Sequence, residues 1–159
     1  MKRRKSEITA VILLTLLSVM SCSRGILYTD TVKMNDEKWS MYDPAKFSCS
    51  INDTTGSYNL TVSVRTSTSY PYRNIHLFIV TSFPSGTSIT DTIHGSIRNE
   101  QGEWMGKGVG DIRELTIPYK SNVFFPESGE YHFKVIQGMR DTVLNGVYDL
   151  GLKIAKRTS

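Results

Sequence analysis

Apolar residues in most of this chain recur at every second position, and that period restricts the possible folds more than any other feature. Tyr58, Leu60, Val62 and Val64 alternate with Asn59, Thr61, Ser63 and Arg65. Near the C-terminus Tyr148, Leu150, Leu152 and Ile154 alternate with Val147, Asp149, Gly151 and Lys153. Successive side chains of a strand point to opposite faces, so a period of two marks strands with one face buried and one in water. Phe47, Cys49 and Ile51 follow the same rule, and Asn74 to Phe83, Arg113 to Tyr119 and Glu130 to Gln137 are rich in β-branched and aromatic residues. Asp53-Thr54-Thr55-Gly56, Pro84-Ser85-Gly86, Pro126-Glu127-Ser128-Gly129 and Asn145-Gly146 punctuate these runs as turns. The pattern predicts an all-β fold, an antiparallel two-sheet β-sandwich of about seven to eight strands. A closed barrel has the same strand count and alternation and is the alternative. A membrane-spanning barrel would need a continuous lipid-facing band, which the polar faces interrupt.

The N-terminus has a different character. Met1-Lys2-Arg3-Arg4-Lys5 is followed by an apolar run from Ile8 to Met20, broken only by Thr9, Thr15 and Ser18, and then by Ser21-Cys22. A basic segment, a short apolar segment and a small residue at the junction are the parts of an export signal. Crossing the hydrocarbon takes about 20 apolar residues, so this run is too short for an anchor. Val19-Met20-Ser21-Cys22 resembles the lipobox of bacterial lipoproteins, with methionine as its departure from the usual pattern. The expected organisation is a lipoprotein signal peptide over 1–21, a lipidated Cys22 with a short tether over 22–29, and a single β-sandwich domain over 30–159. Two or three acyl chains on Cys22 would hold it stably, since each buried methylene contributes ~0.8 kcal/mol.

Charge then loses its apparent meaning. The whole chain carries 19 Lys and Arg against 15 Asp and Glu. The first 21 residues contain four of those bases and one of the acids, which leaves 15 against 14 in the exported part. A net charge near +1 gives no basis for nucleic-acid binding, which requires a concentrated basic surface. Once Cys22 is acylated, Cys49 has no partner for an internal disulfide, and its alternating neighbours mark it as a small buried hydrophobe.

Searches for chemistry return little. Gly106-Lys107-Gly108-Val109-Gly110-Asp111 lacks the spacing of a phosphate loop and precedes a strand rather than a helix, so a tight loop between sheets is expected. His76, His94 and His132 are scattered, with no metal-ligand spacing, and the apolar neighbours of His76 and His132 put those two on solvated faces. There is no Gly-x-Ser-x-Gly elbow. No catalytic residue, cofactor or metal is assigned, and the chain is read as a non-enzyme with no small-molecule substrate.

Bulky residues in loops are more informative. Tyr70, Tyr72, Trp104 and Arg140 are of the types enriched at binding hot spots, and they form a candidate partner-binding patch. The competing explanation is that they cap the open end of the core. A flat row of Tyr70, Tyr72 and Trp104 would instead suit an envelope glycan-binding module, the alternative function. Four of the eight aspartates sit in Asp-Thr pairs followed by a β-branched residue, at Asp30, Asp53, Asp91 and Asp141. The triplet resembles an O-glycan acceptor of exported bacterial proteins, and turn-to-strand junctions would produce it equally.

A longer succession of residues runs through Thr54-Thr55-x-x-Tyr58-Asn59-Leu60, Val64-Arg65, Tyr70-Pro71-Tyr72-x-Asn74, Gly106-x-Gly108-x-Gly110-Asp111-Ile112 and Phe125-Pro126-x-x-Gly129-x-Tyr131-x-Phe133. It closes with Gln137-x-Met139-Arg140 and Leu144-x-Gly146-Val147-x-Asp149-x-Gly151-Leu152-x-Ile154. The succession resembles the gliding-motility lipoprotein GldH family. The resemblance implies a non-enzymatic lipoprotein of the gliding machinery and the linked type IX secretion system, with other gliding or secretion proteins as partners. Of the family's functional residues only the lipidated cysteine carries over, onto Cys22. Cell-surface signals of related bacteria resemble an acidic run after that cysteine, whereas Ser23-Arg24-Gly25-Ile26-Leu27 follows it here. The expected location is therefore the outer membrane, facing the periplasm.

Overall fold

The computed structural model describes residues 25–157; the expected signal peptide, Cys22 and the first residues of the expected tether lie outside the described residues. The described strands are β1 Ile26–Lys33, β2 Lys38–Ser40, β3 Ala45–Ile51, β4 Tyr58–Ser67, β5 Asn74–Ser82, β6 Ser88–Ser96, β7 Ile112–Val123, β8 Gly129–Gln137, β9 Val143–Asn145 and β10 Val147–Lys156. A 3-10 turn over Asn35–Glu37 is the one helical element among the described residues. Two open four-stranded antiparallel sheets, ordered β1-β10-β4-β7 and β3-β8-β5-β6, are joined by the small β2-β9 ribbon. Neither large sheet closes on itself, so the fold is the sandwich and not the barrel.

Alternation builds the core directly. Leu60, Val62 and Val64 of β4 and Leu150, Leu152 and Ile154 of β10 are buried on one sheet. Phe47, Cys49 and Ile51 of β3, Ile75, Leu77 and Ile79 of β5, and Tyr131, Phe133 and Val135 of β8 are buried on the other. Full burial of each such aliphatic or Phe side chain contributes roughly 1.5–3 kcal/mol, so this inter-sheet layer is the main source of stability.

Three features depart from the sequence reading. β1 begins at Ile26 and pairs with β10 from there, inside the segment expected to be tether through Thr29. Its residues are mostly exposed, so no run of apolar positions advertised it. β6 likewise carries no periodic apolar signal, because an edge strand reading Ser-Ile-Thr-Asp-Thr-Ile-His-Gly-Ser buries little. The third departure is at the start of β10, where a shift of register lies between Val147 and Asp149 in the pairing with β4. A bulge inserts one extra residue and reverses the faces on either side of it. Val147 therefore points into the core, while the Tyr148 hydroxyl donates to the Asp111 carboxylate at 3.0 Å.

Beside that bulge Asp149 is only 4% exposed, and Arg65 of β4 covers it. Arg65 Nε donates to both carboxylate oxygens, at 2.8 and 2.9 Å, and Nη2 donates to Oδ2. A buried carboxylate left without its cation is costly, about 3–5 kcal/mol where both partners are buried. Arg65 is partly exposed, its side chain 41% accessible, which lowers the cost.

Strand directions give the sandwich two distinct ends. β1, β4, β6 and β8 run one way, and β3, β5, β7 and β10 return. At one end lie Gly25, the turns over 52–57, 83–87 and 124–128, and Arg157. There the Lys156 amide donates to the Gly25 carbonyl and the Arg157 amide to the Ser57 carbonyl. The connections over 34–44, 68–73, 97–111 and 138–146 gather at the other end. At ~3.3 Å per residue the ten residues of β4 put these ends roughly 30 Å apart.

Two outcomes are expected. Arg65→Ala should lower stability by about 2–3 kcal/mol, read as a lower urea midpoint at unchanged slope. Burial, with Glu130 adding to it, pushes the Cys49 thiol up to about 11. A disulfide-exchange reagent at pH 8 should thus label native protein at least about tenfold more slowly than unfolded protein, the loss of thiolate outweighing the greater nucleophilicity of what remains.

Candidate functional site

The end away from Gly25 collects the four expected patch residues, but in unequal roles. Tyr70 is fully buried, and its hydroxyl donates to the Asn74 carbonyl at 3.1 Å. It is therefore a core residue capping the sandwich, which corrects its place in an exposed patch. Tyr72 is half-buried, packs edge-on against Tyr70 with ring centroids 5.9 Å apart, and donates from its hydroxyl to Asp141 Oδ2 at 2.5 Å. That bond, more than burial, raises the phenol above its ordinary pKa.

Tyr72 and exposed Arg140 meet in one shallow groove of about 430 Å3, completed by Asn74, His76, Gly138 and Met139. The groove is fixed from below. Gln137 Nε2 donates to the Asp141 carbonyl at 2.7 Å, and its Oε1 accepts from the Met139 amide at 2.8 Å. A side chain at Gly138 would run into the Phe78 ring, so glycine lets that 40% exposed ring pack against the backbone beside the groove-lining Met139.

Trp104 lies outside this groove, on the long β6–β7 connection. That connection folds back as a small hairpin in which the Asn99 amide donates to the Glu103 carbonyl and the Met105 amide to the Ile97 carbonyl. The Arg98 guanidinium stands 4.2 Å from the Trp104 ring centroid, and Arg113 stands 6.0 Å away. Arg98 Nη2 also donates to the Thr68 and Tyr70 carbonyls, which ties the Trp104 hairpin to the β4–β5 connection. The glycine-rich stretch then presses this loop onto β7. A Cβ on Gly106 or Gly108 would overlap the carbonyls of Glu114 or Ile112. The stretch is a packing device, as its expected role of tight loop requires.

With Tyr70 buried, Tyr72 inclined at 70° to it and arginines beside Trp104, the three aromatics do not make a flat row for stacking a sugar. A concavity of about 480 Å3 on the outer face of β1, β10, β4 and β7 is lined by Thr29, Thr31, Thr61, Ser63, Thr116 and Gly151 among others and contains no aromatic ring. The strand register sets His76 opposite His94, with ring centroids 6.0 Å apart, and His132 accepts or donates a 2.7 Å bond with Ser48. Among the described residues no three His, Cys, Asp or Glu side chains converge on a metal-sized point. The Asp-Thr pairs are not uniformly junctions. Asp53 caps a turn, with bonds from the Thr55 and Gly56 amides, but Asp30 and Asp91 lie within strands.

What does remain accessible is sorted by position. Tyr42, Met105, Val109 and Val143 are exposed large hydrophobics at the far end, with Tyr42 82% and Val109 90% accessible. Sequence reasoning missed them, because a single apolar residue in a polar connection carries no periodic signal. Arg98→Ala should loosen this end, costing about 1–2 kcal/mol through the lost ring contact and carbonyl bonds, with a red shift of tryptophan emission as Trp104 gains water.

Comparison with known proteins agrees with the residue pattern. The "Gliding motility lipoprotein GldH homolog" of Christiangramia forsetii is 31% identical over 153 residues, covering 92% of this chain and 93% of that protein. The "Gliding motility lipoprotein GldH" of Flavobacterium johnsoniae is 29% identical over 156 residues, covering 94% and 96%. Among solved structures, Xyl-CBM35 in complex with a glucuronic acid containing disaccharide aligns over 87% of this chain and 96% of that one, at 13% identity. Its TM-score of 0.39 is too low to carry an argument. The profile described as GldH lipoprotein matches residues 26–154, which is nearly the whole described sandwich, and the chain belongs to the GldH lipoprotein family.

Proposed function

We propose that this chain is a non-enzymatic accessory component of the gliding machinery and the linked type IX secretion system, held by lipid on Cys22 in the outer membrane and facing the periplasm. The observation that carries the reading is the polarity of the sandwich. The chain enters at one end through Gly25, and the long connections with their accessible apolar residues gather roughly 30 Å away. An anchored domain of this shape holds its connection-rich end off the leaflet, where it meets other envelope proteins. The relatives named for gliding motility supply the process, and the absence of an acidic run after Cys22 supports the periplasmic side.

The contact surface on this reading consists of Tyr72 and Arg140 in the groove, with Trp104, Met105 and Val109 on the β6–β7 connection. Exposed apolar side chains flanked by polar groups lose little by waiting in water singly and gain on joint burial against a partner. Tyr70 takes no direct part, since a core position contributes only by holding Tyr72 in place.

Crosslinking in the native cells, followed by capture of the protein and mass spectrometry, tests the proposal. Components of the gliding or type IX secretion machinery should be recovered with the unmodified chain and lost with Cys22→Ala. They should fall at least tenfold with Met105→Ser and Val109→Asp combined, at unchanged folded protein level. Capture that ignores both substitutions would overturn the assigned surface, and removal of the domain by protease on intact cells would overturn the periplasmic facing.

A further inference from the structure

The remaining exposed apolar residues are concentrated where the chain enters. Ile26 and Leu27 open β1 at 41% and 42% exposure, Ile89 opens β6 at 44%, and Phe124 follows β7 at 60%. All four belong to the Gly25 end. Phe124 and Ile89 also flank a lateral groove of about 280 Å3 between β6 and β7, lined further by Phe83, Val123, Phe125 and Phe133. The apolar surface at this end therefore continues from the tip into the seam between the sheets.

Only three peptide steps separate Gly25 from Cys22, and an extended chain spans at most ~3.6 Å per residue. On the lipid attachment proposed above, the Gly25 end stays within about 11 Å of the acylated cysteine, whatever course those residues take. We infer that the Gly25 end of the sandwich is a membrane-docking face, on which Phe124, Ile89, Ile26 and Leu27 enter the acyl boundary of the leaflet that holds Cys22. The occupant is the lipid surface because the tether keeps it there, and because interfacial binding follows buried apolar area together with attraction for anionic headgroups. Lys156 and Arg157 supply cations at the same end, although Lys156 is paired with Asp53 at 2.6 Å. The inference rests on lipidation of Cys22 and adds that the domain itself meets the bilayer and stands with its strands away from it.

The two native tryptophans make the test direct, since Trp39 and Trp104 both lie toward the far end. The full lipid-modified protein is reconstituted into vesicles of phosphatidylethanolamine and phosphatidylglycerol, with or without bromine on the upper acyl carbons. Phe124→Trp and Leu27→Trp are compared with the unmodified sequence, both being exposed positions that tolerate the larger ring. Each added tryptophan should shift to the blue on reconstitution and lose most of its emission to bromolipid, while the native pair is unchanged. Flotation with the vesicles without quenching at 124 and 27 overturns the docking face and leaves the lipid anchor standing. Failure to float overturns the anchor and the docking face with it. Quenching of the native tryptophans overturns the orientation.

Discussion

The first described strand pairs with the last, and much of the molecule depends on that ladder. β10 lies between β1 and β4, so it takes hydrogen bonds on both sides and has no edge of its own. Its inner face supplies Leu150, Leu152 and Ile154 to the core, and Gly151 on its outer face leaves room for Ser63. Because β1 adds antiparallel to β10, Gly25 is brought to Lys156 and to the turn before β4. The position of the chain's entry follows from backbone pairing, and the division of the surface into two ends follows from the entry.

Aromatic residues with hydroxyls finish the Gly25 end. Tyr58, Phe125, Tyr131 and Phe83 form a chain of edge-to-face contacts, with centroids 5.3, 4.9 and 5.5 Å apart. Such contacts add roughly 0.5–1.5 kcal/mol each beyond area burial. The Tyr58 hydroxyl donates to the Asp53 carbonyl and the Tyr131 hydroxyl to the Glu127 carbonyl, so each ring also fastens the turn above it. Asp53 is held well below the usual carboxylate range, first by its bond from Lys156 and then by bonds from Thr55 and Gly56. The far end is fastened differently, by Arg98, Gln137 and Asp111 reaching backbone and hydroxyl groups across connections.

The strands that bury one face were legible in the sequence because burial imposes the period. β3, β4, β5, β8 and most of β10 are of this kind. β1 and β6 lie at sheet edges and bury too little to leave a pattern, and the bulge at Val147 breaks the pattern without a marker in the residues. The far-end site was legible only in part. Residue type nominated Tyr70, Tyr72, Trp104 and Arg140, but type does not distinguish a tyrosine closing the core from one facing water. The pairing of Arg98 with Trp104, or of Tyr72 with Asp141 across 69 positions, is decided by tertiary proximity and has no local trace.

The β1–β10 ladder also determines how the domain bears load. A pull on Gly25, opposed at the far-end connections, acts along the strands and not across them. The residue pairs of that ladder, continuous from Tyr28 to Lys33, are then loaded together in shear and not one after another. Had the chain entered at the opposite end of β1, the same force would peel the pairs apart in sequence. The antiparallel docking of an exposed, inconspicuous first strand thus gives this fold a mechanically strong direction, and that direction runs from its entry point to the connections at its far end.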